Sequence, residues 1–167
     1  MLRPFPPQSM PSQPMPSQNN PAQPTPLPRV GVGVLILDRR NRALLTLRDL
    51  PPEAGSWSIV GGKLEYLETL AECALREARE EVGVDVAIEA LLCVTDHLLP
   101  QESQHWVSPA YLGRVASGRA KNCEPRKTRE VRWFPLDQLP LNLTITARNA
   151  IVAYTRQFPQ SPNHHAR

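Results

Sequence analysis

Three glutamates stand close together in the middle of the chain, Glu77, Glu80 and Glu81, within the run GKLEYLETLAECALREAREEVGV. If this run is a helix, with about 100° between successive residues, their carboxylates share an arc of about 100°. Clustered carboxylate oxygens suit a hard cation such as Mg²⁺, which in turn binds phosphate oxygens. The alternative is a solvated acidic face, because glutamate is a good helix former on protein surfaces.

The same run carries the signals that begin and end a helix. Thr69 and Glu72 have the spacing of a capping box, which predicts a helix start at Thr69, and Gly83 suits the position after its end. A narrow apolar stripe, formed by Ala71, Ala74, Leu75, Ala78 and Val82, recurs at helical spacing. The three glutamates fall away from this stripe, so the sequence predicts a helix that packs on one side and presents carboxylates on another.

Two glycines decide between the acidic-face and cation interpretations. Gly61 and Gly62 follow the apolar run Trp57–Val60, and paired glycines there indicate a turn whose backbone comes close to a ligand or metal. With the carboxylates, this favours a hard-cation site. The fixed positions of the whole pattern are Gly62, Glu68, Arg76, Glu77, Glu80, Glu81 and Gly83, with apolar residues at Ala78 and Val84.

This pattern resembles the Nudix box, the signature of the Nudix (MutT-like) hydrolases, at every fixed position. One departure is Leu67, where many members have glycine. The resemblance covers roughly residues 29–157 and implies an α/β fold, a Nudix-type α/β/α sandwich with a mixed sheet. From the sequence we expect a second helix at Leu143–Gln157. We expect strands at Val30–Asp38, Arg42–Leu47, Trp57–Val60, Val86–His97, Trp106–Ala116 and Val131–Phe134.

The resemblance also implies roles for individual residues. Its metal ligands, binding Mg²⁺ with Mn²⁺ as a substitute, would be Glu77, Glu80, Glu81 and the carbonyl of Gly61. Arg76 would orient a neighbouring glutamate, and Glu68 would do similar work at the helix start. The catalytic set expected from the family is Glu77, Glu80, Arg76 and Glu130. The general base varies between members, so two candidates stay open here, Glu124 and Glu130, of which Glu130 lies nearer to the family's acidic position before Trp133.

The implied activity is Mg²⁺-dependent cleavage of a pyrophosphate linkage in a nucleotide. A nucleoside triphosphate giving a monophosphate and pyrophosphate is the expected substrate, and ADP-ribose or another nucleotide sugar is the rival. Aromatic side chains that could stack on a base are Trp57, His105, Trp106 and Trp133. Two non-enzymatic alternatives remain: a Nudix-fold binding module, which the intact glutamates argue against, and a scaffold that recruits a partner through a proline-rich arm.

Composition bounds the remaining features. Residues 1–28 hold ten of the 19 prolines and lack acidic residues, and this composition predicts a disordered arm. The domain is expected to follow at 29–157, and residues 158–167 are expected to form a flexible tail. The net charge of +3 is modest and scattered, which argues against a nucleic-acid partner. No apolar run reaches the length of about 20 residues that a helix needs to span a membrane. The three cysteines, Cys73, Cys93 and Cys123, are an odd number with no CxxC spacing, so we expect reduced thiols in a cytoplasmic protein. A homodimer is left open.

Overall fold

The computed structural model describes residues 27–159. Most of the arm expected at 1–28 and of the tail expected at 158–167 therefore lies outside the described residues. The described part contains seven strands and two α-helices. The strands are β1 (Arg29–Leu37), β2 (Arg42–Arg48), β3 (Trp57–Ser58), β4 (Val60–Lys63), β5 (Val84–Leu99), β6 (Gln104–Gly118) and β7 (Thr128–Pro135), and the helices are α1 (Leu70–Val82) and α2 (Ile145–Gln157). Neither helix is long and apolar enough to cross a membrane.

The strands form one mixed sheet in the order β3-β2-β1-β6-β5, with β4 paired to β1 and β7 paired to β2. β1 and β6 run parallel, whereas the other pairs are antiparallel. β1 lies at the centre of this order. β4 pairs with it so that Gly33 is opposite Gly61 and Val32 is opposite Gly62. The start of the box is thus fixed to the middle of the sheet.

Side chains alternate between two core layers, one on each face of the sheet. On β1, Val34 and Ile36 pack in the layer under α1, and Leu35 and Leu37 pack in the layer under α2. All four are fully buried, as expected for a strand covered on both faces. The expected α/β/α sandwich is the observed architecture.

Several element boundaries differ from those predicted. The run Trp57–Val60 is two strands, because β3 pairs with β2 while β4 pairs with β1. The second helix begins at Ile145, capped by Thr144, and not at Leu143. Each remaining strand differs from its predicted range by one to three residues at one or both ends, which is the usual uncertainty of pattern-based boundaries.

The box helix begins and ends as its sequence predicts. The Thr69 side chain accepts from the amide of Glu72, while the Glu72 carboxylate accepts from the amide of Thr69 at 2.8 Å. Gly83 follows the helix in the left-handed conformation, with φ of 70°. Cys73 is fully buried, and burial raises the pKa of its thiol to about 12, so it is a packing residue and a poor nucleophile.

Leu67 explains why glycine is common at its position in the family. Its φ is 64°, in the left-handed region that costs a residue with a Cβ about 1–2 kcal/mol. The side chain is 85% exposed, so packing does not offset this cost.

We expect Leu67→Gly to be more stable than Leu67→Ala by about 1 kcal/mol, because alanine keeps the Cβ that disfavours this conformation. Leu141, which is 99% exposed and has no positive φ, is the matched control, and there the glycine variant should be the less stable of the pair. Chemical denaturation of the four variants measures both differences. If the glycine variant were less stable than the alanine variant at both positions, that result would contradict the strain at Leu67.

Candidate active site

The site begins where β4 meets the box helix. A Cβ on Gly62 would lie 2.2 Å from Oε1 of Glu77, and one on Gly61 would lie 2.1 Å from the carbonyl oxygen of Val32. Only glycine fits at Gly61, because its neighbours there are backbone atoms, whereas a Cβ at Gly62 would force the Glu77 carboxylate out of its position. The two glycines therefore allow the strand backbone to lie directly against a carboxylate of α1.

Arg76 connects the glutamates of the box. Its guanidinium donates to Glu68 Oε1 at 2.8 Å, to Glu77 Oε1 at 2.7 Å and to Glu80 Oε2 at 3.0 Å. A further bond reaches the carbonyl of Lys63 at 3.2 Å. The hydrogen bond from Arg76 lowers the pKa of Glu68 to about 2, so this carboxylate is ionised at neutral pH. Arg76 thus contacts two of the glutamates expected to bind the metal, Glu77 and Glu80.

Glu81 is the most deeply placed of the three expected ligands. Its Oε2 lies 3.3 Å from the amide nitrogen of Gly61, which donates to it. Burial, followed by repulsion from Glu77, raises the pKa of the Glu81 carboxyl to about 8. Burial likewise raises the pKa of Glu77. These two carboxylates are not on a solvated face, although helical periodicity places them away from the apolar stripe.

The surroundings of Glu77 and Glu81 fit a hard cation. Two carboxylates held beside each other at low exposure repel, and a divalent ion would compensate their charge. Within residues 27–159, no three Cys, His, Asp or Glu side chains converge closely enough to surround an ion in the present arrangement. Arg76 holds one oxygen of Glu77 and one of Glu80, so an ion would have to share those oxygens with Arg76 or displace it.

The remaining expected site residues fall into two groups. Glu124 lies near the carboxylates, since its charge contributes to the raised pKa of both Glu77 and Glu81. Glu130 lies on β7 and forms an ion pair with Arg132 on the same strand. Of the two general-base candidates, the structure brings Glu124 to the cluster. At Gly61, the contact with Glu81 is made by the amide, whereas the expected metal ligand is the carbonyl.

Basic side chains surround the carboxylate face. A groove there is bordered by Arg48, Lys63 and Lys127 together with Glu77 and Glu81. Positive charge beside clustered carboxylates is what a bound polyphosphate needs, because the anion must be held while the acidic residues hold its counter-cation. Sequence patterns missed these three residues, which come from three separate segments.

A cavity of about 210 Å³ adjoins this face, and Gly61, Gly62 and Lys63 border both. We call it the Trp106 cavity; its other lining residues include Gly33, Glu53, Ile59, His97, Trp106 and Thr144. Trp106 is the one of the four proposed stacking residues that lines it. Trp57 instead packs edge-on against Phe134 in the core, with ring centroids 4.8 Å apart.

The NUDIX domain family matches residues 27–154 of the chain. The chain belongs to the NUDIX family. This match covers the sheet, both helices up to Tyr154 and every residue of the site described above, which confirms the resemblance seen in the box.

Named relatives agree with this assignment. A MutT NUDIX hydrolase from Burkholderia pseudomallei superposes with a TM-score of 0.71 at 42% identity, covering 77% of this chain and 98% of that chain. The NAD-capped RNA hydrolase NudC of Stutzerimonas stutzeri is 30% identical over 132 residues, 76% of this chain and 43% of that relative. The ADP-ribose pyrophosphatase of Methanocaldococcus jannaschii is 30% identical over 105 residues, 63% of this chain and 61% of that relative. This Nudix chain thus spans less than two thirds of the length of both curated relatives, and all three carry hydrolase names.

Glu81 generates a prediction on stability that needs no substrate. A carboxyl whose pKa rises from 4.5 to about 8 on folding favours the fold while protonated, and that contribution is lost as pH rises from 4.5 through 8. Without divalent cations we expect Glu81→Gln to melt at a higher temperature than the unsubstituted protein at pH 8, with the difference shrinking towards pH 5.

Two comparisons by differential scanning calorimetry complete this test. Mg²⁺ at pH 8 should raise the melting temperature of the unsubstituted protein more than that of Glu81→Gln, because only the former keeps the full ligand charge. Glu80→Gln is the control, since the Glu80 side chain is 54% exposed and its substitution should give no comparable pH-dependent gain. A Glu81→Gln protein that is less stable than the parent at pH 8 would contradict the assigned environment.

Proposed function

We propose that this Nudix domain is an Mg²⁺-dependent pyrophosphohydrolase that cleaves a nucleoside triphosphate to a monophosphate and pyrophosphate. The observation that carries the proposal is the placement of Glu77 and Glu81 against the glycine backbone of β4, beside a groove with basic residues. Carboxylates, lysines and an arginine around one groove suit a polyphosphate and its divalent counter-ion.

The residues of the chain divide the work in this proposal. Glu77, Glu80 and Glu81 would hold Mg²⁺, which when bound neutralises charge on the phosphates and activates water for attack. Arg76 positions Glu77 and Glu80, because one guanidinium nitrogen bonds both. Lys63 and Lys127 lie where they can bind phosphate oxygens that the cation leaves free.

Glu124 is the side chain we assign as general base. Its carboxylate lies close enough to influence Glu77 and Glu81 electrostatically and is held by Lys127 at 2.7 Å. That ion pair holds the side chain beside the cluster, where its carboxylate can accept a proton from an attacking water. Glu130, which pairs with Arg132, is the weaker candidate on these contacts.

A nucleotide-sugar substrate is the second candidate. The relative named ADP-ribose pyrophosphatase at 30% identity supports it, and the same carboxylates would serve either diphosphate. We favour the triphosphate because three segments outside the box resemble the small branch of the family that cleaves nucleoside triphosphates: Glu124-Pro125, His105–Val107 and Pro135–Pro140. The Trp106 cavity, at about 210 Å³, has room for one base beside the phosphate groove, and this is compatible with either substrate.

We expect hydrolysis to require a divalent cation and Glu80→Gln or Glu81→Gln to lower turnover at least about a hundredfold, since each removes a ligand charge. The measurement is phosphate or monophosphate release with Mg²⁺, with Mn²⁺ and with a chelator. Glu102→Gln, at an exposed residue far from the box in sequence, serves as control. Turnover near that of the parent in either box variant at saturating Mg²⁺ would rule out the assigned ligands.

A panel of nucleotides distinguishes the two substrate classes. We expect kcat/KM for at least one of dGTP, dCTP and ATP to exceed that for ADP-ribose by about tenfold or more, about 1.4 kcal/mol in transition-state binding. Product analysis should show a monophosphate and pyrophosphate. A reversed ratio would assign the domain to nucleotide sugars, and no hydrolysis of any member would favour a binding module.

A further inference from the structure

The Trp106 cavity contains a polar pair that the proposed chemistry does not use. Nε2 of His97 lies 3.2 Å from Oε2 of Glu53, and the two side chains are 9% and 18% exposed. His97 comes from β5, whereas Glu53 comes from the loop before β3. Both line the cavity, on the side of the sheet covered by α2.

Nε2 of His97 has no hydrogen-bond partner, despite its short distance to Glu53. Among residues 27–159 it is the one buried side-chain nitrogen or oxygen left in this state. Leaving a buried polar group unsatisfied costs about 1–3 kcal/mol, so such groups are rare in native proteins. Here the unsatisfied atom belongs to a cavity-lining residue, where a bound molecule can satisfy it.

Glu53 also has unused hydrogen-bonding capacity. Its Oε1 accepts from the amide of Ile145 at 3.0 Å, which ties the loop to the first turn of α2. An ionised carboxylate accepts about four hydrogen bonds, so acceptor positions remain for a ligand. The pair therefore offers the cavity a donor, the N–H of His97 in the tautomer that carries its proton on Nε2, beside a carboxylate acceptor.

Building on the proposed function, we infer that Glu53 and His97 are specificity-determining residues that read the base of the nucleotide, and that this base is guanine. On the edge of guanine an acceptor, O6, stands beside two donors, N1–H and N2–H. His97 donates to O6, and the Glu53 carboxylate accepts from N1–H and N2–H. Adjacent donors on a planar ring suit a carboxylate, which takes them as a charge-assisted pair.

Other bases satisfy this pair less well. Uracil and thymine present a second acceptor, O2, where guanine has N2–H, so it would face the carboxylate and repel it. Adenine and cytosine each offer only one exocyclic donor group beside a ring acceptor on that edge, and hence a single bond to Glu53 in place of two. The preference for guanine rests on the second donor.

The position of the pair is compatible with cleavage at the carboxylates. The cavity and the phosphate groove share Gly61, Gly62 and Lys63, so a base in one and phosphates in the other belong to a single nucleotide. Trp106 supplies an aromatic wall, with the Arg29 guanidinium 5.3 Å from its ring centroid. Base stacking on such a ring is insensitive to base identity, which leaves the discrimination to Glu53 and His97.

Replacing Glu53 by glutamine tests the inference with little change in shape. The glutamine carbonyl still accepts from the amide of Ile145, but its amide group turns a donor towards the base. We expect the unsubstituted protein to bind dGMP at least about fivefold more tightly than dIMP, which lacks N2–H, and Glu53→Gln to abolish that ratio. The measurement is titration calorimetry with the two monophosphates, which requires no turnover.

His97→Leu tests the other contact and covers the case in which Glu53→Gln fails to fold. It removes the donor to O6, so we expect dGMP affinity to fall at least about tenfold. Glu102→Gln is the control in both experiments and should leave dGMP affinity and the dGMP to dIMP ratio unchanged. Melting temperatures identify any variant that is not folded.

The outcomes separate this inference from the proposed function. Nucleotide hydrolysis with no preference for dGTP over dITP, and no effect of Glu53→Gln on it, would overturn the guanine assignment and leave the pyrophosphohydrolase intact. Selective dGMP binding that depends on Glu53 and His97, in a protein that hydrolyses no nucleotide, would support the base assignment and overturn the proposed activity. Tighter binding of dAMP or dCMP than dGMP would also overturn the guanine assignment.

Discussion

The structure of the site depends on one guanidinium group. Arg76 bonds Glu68 in the loop before α1, Glu77 and Glu80 on the helix and the carbonyl of Lys63 on β4. Without this cation, the carboxylates of Glu68, Glu77 and Glu80 would repel one another with no positive charge between them. Arg76 therefore fixes the loop, the helix and the strand relative to one another, and it orients the oxygens that a divalent ion would use.

The close approach of β4 to α1 also depends on residues of the strand. Gly61 and Gly62 leave room for the Val32 carbonyl and the Glu77 carboxylate, which any Cβ would displace. As a result β4 borders two different spaces, a groove with carboxylates and basic residues and a cavity lined by Trp106. A single nucleotide can then place its phosphates in one and its base in the other, which is the arrangement that the proposed function uses.

Three features are unfavourable for folding: two of them border these spaces, and the third, at Leu67, directly follows Tyr66 at the border of the groove. Leu67 has a left-handed backbone, Glu81 is a buried carboxyl with its pKa raised to about 8, and Nε2 of His97 has no hydrogen-bond partner. Local departures from good folding chemistry concentrate at functional sites, where ligand binding provides the missing interactions. For Glu81 that ligand would be a cation, and for His97 the edge of a base.

The sequence by itself determined the box helix, its capping box and the family, because these depend on residues within about 25 positions of one another. It also predicted the sandwich and nearly every strand, since periodicity reports which faces are buried. Only the tertiary structure placed Glu124 rather than Glu130 beside the carboxylates and showed that Glu81 is buried. It alone showed that Glu53 lies beside His97, and that Trp106 lines the cavity whereas Trp57 packs in the core. Those outcomes depend on which strands pair across the sheet, and pairing between distant segments leaves no periodic signal in either segment.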